Sequence, residues 1–406
     1  MTMKVSERGH RMNNLIRYVA ITSCALLLAG QSLADHKECG TYSEPQPQEP
    51  TSPPFQEFGS TSESTSVPRP EENPTVNERP ECADQTGSST REQTVDFVGG
   101  LNDRITQARG SFGGKRNRTA ALNQPKGGAA GADGIADSNR WSPFVVLDSS
   151  NADRRATDIS RAYEQDADIL ILGTDYRLQE DLIAGATLNY VASDTEYDDN
   201  QGEAESDSII LGFHASKYWG DTYLDALLTY GQIDLDVERS SAFGQFDSST
   251  EGDFHSAELA FGHLFNHNRW TITPSVRLLN VRGSIDGYSE ETVSGFGAVT
   301  YEEQKFDSLN ARASLQADYV FLTDWGVLIP SLYFAYHHEY AEADAVTTNT
   351  GVRQFGEDPA RNYRAGRINL AAQFKRGLSG FISYERLIDH ELLDRDTVVI
   401  GARVEL

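Results

Sequence analysis

Few residues of this chain are placed to do covalent chemistry. His337, His338 and Glu339 stand side by side in YHHEY, with Asp344 close behind, and are the first candidates for a proton-transfer site. Neighbouring side chains of an extended strand point to opposite faces, so the two histidines cannot serve one site. His255, His263 and His267 fall along one strand and its turn, which suits surface positions better than a metal centre. No GxSxG elbow, HExxH helix, Walker loop or cysteine-based metal cluster is present. The sequence therefore reads as a non-enzyme without cofactor or metal, and its many charges need another explanation.

The formal net charge of -26 excludes most nucleic-acid binders, because a phosphate backbone demands clustered Lys and Arg, and only KRNR at 115–118 approaches a cluster. Acid gathers in segments such as DTEYDDNQGEAESD, Asp194 to Asp207, which read as solvated loops or as a surface for divalent cations. The unbroken apolar run from Tyr18 to Gly30 follows Arg11 and Arg17 and precedes Ser32 and Ala34, the pattern of a signal peptide over 1–34. An exported chain meets an oxidising compartment, where Cys39 and Cys82 either pair as a disulfide or remain free thiols. Nine of the 14 prolines lie between Pro45 and Pro80 among Glu, Ser, Thr and Gln. Such a segment buries too little apolar surface to offset chain entropy, so 35–92 reads as a disordered arm.

Beyond it, Val95, Val98, Leu101, Ile105 and Ala108 recur at helical spacing within 93–112, despite Gly99 and Gly100. A Gly, Ala and Asn-rich linker follows over 113–139. From Trp141 the period changes to two. In SLNARASLQADYVF, Ser308 to Phe321, apolar or small residues alternate with Ser308, Asn310, Arg312, Gln316 and Asp318. About twelve such runs span 140–406, an even number, as single-chain outer-membrane barrels have. Their connectors alternate between short turns, such as WGD and NHN, and long acidic loops, such as 284–305 and 341–363. Trp219, Trp270 and Trp325 gather at the short-turn end, where an aromatic girdle meets lipid headgroups. In the run 222–237 the apolar parity slips near Gly231, which predicts a bulge or exit from the bilayer. The fold class is all-β: a twelve-stranded antiparallel transmembrane barrel.

On these pieces, Trp141 to Leu406 resembles the autotransporter β-domain, the translocator of type V secretion. The likeness rests on GTDYRL at 173–178, YWGDTYLDALLTYG at 218–231, RWTITPSVRL at 269–278, DWGVLIPSLYFAYHHEY at 324–340 and the terminal DTVVIGARVEL. It implies that 93–112 is a linker helix in the barrel lumen and that 35–92 is a short passenger. It also implies outer-membrane lipid, barrel assembly machinery and periplasmic chaperones as partners. The lumen-facing charges Glu258, Arg277, Arg312, Asp318, Arg367, Arg403 and Glu405 are then the residues to hold the helix, through Asp103 and Arg104 beside Leu101 and Ile105. Three features depart from the family. The arm is short. Gly99 and Gly100 occupy the place of the two asparagines at which self-cleaving members cut, just before LNDRI. The last residue is Leu406 rather than an aromatic. The expected function is to anchor, and translocate, a short passenger at the cell surface; an adhesive or structural surface protein is the alternative, and a channel the third reading.

Overall fold

The computed structural model describes residues 86–109, 140–157, 161–198, 202–241, 244–291, 300–340, 345–347, 353–355, 361–374 and 377–406. The signal segment, most of the arm including Cys39 and Cys82, and the linker 113–139 lie outside them. One helix, α1 (Thr86–Arg109), precedes twelve long strands. These are β1 (Trp141–Arg154), β2 (Tyr163–Gln179), β3 (Leu182–Tyr197), β4 (Gly202–Trp219), β5 (Thr222–Ser241) and β6 (Gly244–His263). The second half comprises β7 (Trp270–Ile285), β8 (Gln304–Tyr319), β9 (Gly326–Glu339), β10 (Asn362–Phe374), β11 (Leu378–Ile388) and β12 (Leu393–Val404). Each pairs antiparallel with the next, and β1 pairs with β12 from Phe144↔Arg403 to Arg154↔Leu393, so the sheet closes on itself.

Closure pairs the strands on both sides around the ring and leaves no open edge there, as a lipid solvent requires, and the upper end of β6 runs beyond its partner β7. The period-two pattern sets which side faces which solvent. Leu188, Ile209, Phe213, Leu332, Ile368 and Ile400 point outward and are exposed, Leu332 and Ile368 to 63% each. Their neighbours along the strands point inward and are buried, Asn369 only partly. Among the described residues no helix is long and apolar enough to cross a membrane. The short turns are tight: Gly220, between β4 and β5, has φ +66°, a conformation that favours glycine.

Three sequence-based expectations need correction. The acidic stretch 194–207 is mostly strand: β3 runs on to Tyr197 and β4 starts at Gly202. Asp and Glu are poor strand formers, but here the hydrogen-bond ladder continues upward from the barrel and overrides propensity. No bulge occurs near Gly231, because β5 pairs with β4 and β6 without a register shift. Instead the strand leaves the bilayer there. Ile233 and Leu235 turn inward and are buried, while Asp234 and Asp236 take the outer face. Finally, α1 begins at Thr86, inside the segment read as arm. Its first turns lack apolar periodicity and are held by the barrel, with Arg91 Nε donating to the Asp307 carbonyl at 3.0 Å.

Strand length varies around the wall. β4, β5 and β6 have 18, 20 and 20 residues, against 13, 11 and 12 for β10, β11 and β12. Since about 9–11 tilted residues span a bilayer, the tall side stands well above the lipid. A hairpin formed by Tyr288–Ser289 and Thr300–Tyr301 folds against that side, where Glu290 accepts from Arg239 through both oxygens at 2.6 Å.

Candidate functional site

The lumen is filled by α1. Phe97, Val98, Leu101, Ile105 and Ala108 form its apolar face and join one buried cluster with inward residues of the wall, among them Val146, Ile171, Ile210, Leu227 and Leu279. Burying each large aliphatic side chain of this kind stabilises the seated helix by about 1.5–3 kcal/mol. The bore is thus not simply wet: an apolar cluster as well as charges meets the helix. Gly99 leaves room against Leu279, whereas a Cβ at Gly100 would collide with the Arg104 guanidinium that folds back across it. From there Arg104 Nη1 donates to the Phe97 carbonyl at 3.0 Å and Nε pairs with Asp148.

Polar contacts run the length of the helix. Next to Arg91 near its N-terminus, Glu92 accepts from Tyr163 at 2.7 Å and pairs with Arg154 at 3.4 Å, both residues at the long-loop ends of their strands. One turn on, Asp96 pairs with Arg395. At mid-barrel Asn102 Nδ2 donates to Glu258 at 2.6 Å, and Asp103 is clasped by three guanidiniums: Arg277, Arg312 at 3.0 Å and Arg367 at 3.3 Å. Arg277 also reaches Glu258 at 3.0 Å, and Arg367 reaches Glu385 at 3.3 Å, so three cations face three anions. At the other end Arg109 pairs with Asp175 at 3.0 Å and donates to Ser216. Asp175 in turn holds Arg403 at 2.6 Å and His214 at 2.8 Å, close to the short turns. The N-terminal end of the helix therefore lies at the long-loop rim and its C-terminal end at the short-turn rim.

Of the residues expected to line the lumen, Glu258, Arg277, Arg312 and Arg367 meet the helix directly, and Arg403 meets it through Asp175. Asp318 is buried but takes its hydrogen bond along the wall, from Gln316 at 2.7 Å. Glu405 sits half-buried at the short-turn rim, where its N–H donates to the Gly377 carbonyl at 3.0 Å. Trp219, Trp270 and Trp325 are all exposed at that rim, and Trp141, which strand-by-strand reading passed over, joins them. Trp141 packs on Tyr176, Trp270 on Tyr319, and Trp325 stacks on Phe374. Sequence reading also missed Asp148, Asp175 and Arg395; counting parity from Phe144 and Val146 brings Asp148 inward with them. His337 and His338 diverge: the first stacks on Tyr363 at 4.4 Å inside, the second bonds Asn362 outside at 2.8 Å. Among the described residues no group of three or more His, Cys, Asp or Glu side chains is placed to hold a metal ion.

The family model of the autotransporter beta-domain matches residues 144–385. Among solved structures, the translocator domain of the autotransporter NalP from Neisseria meningitidis superposes with a TM-score of 0.59 at 15% identity, covering 80% of this chain and 100% of that one. The beta domain of the Bordetella autotransporter BrkA gives 0.52 at 18% identity, covering 66% and 100%. At such identities these likenesses speak for the fold alone. No curated protein matches the sequence. A closed twelve-stranded barrel with a helix down its bore, and a family match over well more than half of its length, make this chain a member of the autotransporter β-domain family, whose barrels reside in the outer membrane of Gram-negative bacteria.

Proposed function

We propose that the barrel carries its own N-terminal residues through the outer membrane and then stays closed around α1, keeping those residues on the cell surface as a tethered passenger. The observation that supports this is the direction of the helix: its Glu92 end meets Arg154 and Tyr163 at the long-loop rim, while its Arg109 end meets Asp175 near the short turns and tryptophans. Long loops face outward in such barrels and short turns face the periplasm. The chain before Thr86 therefore leaves toward the exterior, and residues 1–34 act as the export signal removed beforehand. The barrel itself needs no covalent chemistry. Without the amide side chains of an asparagine pair at Gly99 and Gly100, the tether stays uncut by that route.

The test is labelling of Cys39 and Cys82 in intact, reduced cells with a membrane-impermeant maleimide. Both thiols react if the arm is outside. Protection of both, with reaction only after the outer membrane is breached, overturns the reading in favour of a periplasmic arm. A second role as a surface-interaction protein draws support from the tall wall, whose outer face above the lipid carries Asp194, Glu203, Glu205 and Asp236.

A further inference from the structure

We infer that the charges of α1 form a register lock, the device that decides where the threaded chain stops in the barrel. The inference rests on the conduit reading above. The apolar contacts alone do not fix a position. Helical periodicity brings apolar residues back toward the same face every three or four residues, so a slide by one turn toward the periplasm keeps the middle of that face apolar, with Phe97 or Val98 in the place of Leu101. The charges behave differently.

In the seated register Asp103 meets Arg277, Arg312 and Arg367, Arg104 meets Asp148, and Arg109 meets Asp175. Slide the helix one turn toward the periplasm, and the place of Asp103 is taken by Gly99 or Gly100, that of Arg104 by Gly100 or Leu101, and that of Arg109 by Ile105 or Thr106. Slide it one turn outward, and the same places receive Thr106 or Gln107, Gln107 or Ala108, and Phe112 or Gly113. In all four shifted registers the helix offers the three arginines no carboxylate and the two wall aspartates no cation: Arg312 and Asp148 lose their ion-pair partners, while Arg277, Arg367 and Asp175 keep only their wall partners, Glu258, Glu385 and, beside His214, Arg403. Buried charges stripped of partners are far costlier than the pair is worth when made.

The pattern does not recur upstream. From Asp35 to Arg109 the basic residues are Lys37, Arg69, Arg79, Arg91, Arg104 and Arg109. Only the last two are five apart, and an acid directly precedes the first of them. The rest of the arm passes the wall without matching it. Direction is encoded as well: Arg91 apart, acids lie toward the N-terminal end of α1 and bases toward its C-terminal end, Glu92 and Asp96 facing Arg154 and Arg395 on one side and Arg109 facing Asp175 on the other. A reversed helix would set like charges together.

The experiment uses the full chain in outer-membrane fragments, with its three cysteines replaced by Ser and with Gln107→Cys and Ser383→Cys as a register probe, because these side chains meet at 3.0 Å. A short bismaleimide cross-links the pair in the parent. Arg104→Asp with Arg109→Asp lowers the yield by about tenfold or more. Adding Asp148→Arg and Asp175→Arg, together with Arg403→Asp because Asp175 also holds Arg403, restores it, and Arg104→Lys with Arg109→Lys keeps it near the parent value. If the charge-reversed barrel does not fold, judged by heat-modifiable migration, Arg104→Gln with Arg109→Gln takes its place. An unchanged yield in a folded variant, or a fall that the charge swap leaves unrepaired, overturns the lock. An epitope inserted after Gly59 is read by antibody on intact cells before the fragments are prepared from them. A surface-exposed epitope with an unmoved cross-link sinks the lock alone, whereas a shielded epitope in the parent sinks the conduit reading and the lock with it.

Discussion

Two adjacent glycines in α1 face different surroundings, and so separate helix propensity from packing. Replacing Gly by Ala inside a helix gains about 1 kcal/mol where the space allows. At Gly99 a Cβ would stand 3.5 Å from Leu279, an ordinary contact, so Gly99→Ala raises the thermal transition of the folded barrel. At Gly100 the same methyl displaces the Arg104 guanidinium from its bond to Phe97 and from Asp148, so Gly100→Ala lowers it. Equal shifts for the two variants would refute the account. His390 gives a pH-dependent counterpart at the outer turn between β11 and β12. Its Nδ1 accepts from the Leu393 N–H at 2.9 Å and the Leu392 N–H at 3.3 Å, and burial pushes its pKa down. A folded-state pKa below the unfolded one means that this turn is fully stable above the ordinary histidine value near ~6.5 and loses stability as pH falls below it. Melting of wild type and of His390→Asn at pH 7 and pH 5 checks this: wild type loses more on acidification, and identical losses count against it.

The strands extend beyond what the barrel needs. Above Leu235↔Thr250 the hairpin of β5 and β6 serves the exterior, so replacing residues 236–249 by Asn-Gly leaves a barrel that still shows heat-modifiable migration with a similar transition. Loss of folding would place that hairpin in the structural core. This distribution also explains what the sequence reveals. Period-two alternation names all twelve strands, because lipid outside and a packed lumen inside sort the side chains sharply. The upper ends escape it: in Glu203, Glu205 and Asp207 the outward residues turn from apolar to acidic, and strand then looks like loop. The first turns of α1 escape for the same reason, since contacts with Asp307 and Tyr163 hold them rather than a repeat of their own. Within the site, parity points Arg277, Arg312 and Arg367 inward, but only three-dimensional proximity pairs them with one aspartate 174 or more positions away.

At the scale of the molecule, helix and wall together close the bore. Purified protein in planar bilayers is therefore expected to be electrically quiet, and protein lacking residues 86–109 to conduct in discrete steps. Steps of equal size from both would show that α1 does not close the bore and would revive the channel reading. The slanted rim, tall over β4 to β6 and low over β10 to β12, gives the exterior one steep acidic flank.

The helix lies along the barrel axis with partners at both ends and in the middle, and this arrangement has a mechanical side. Under the proposed function, tension on the chain before Thr86 would pull parallel to that axis, straining Glu92, Asp96, Asp103, Arg104 and Arg109 together in shear rather than peeling them apart in turn. An attachment loaded in this way yields only when all of its members yield at once.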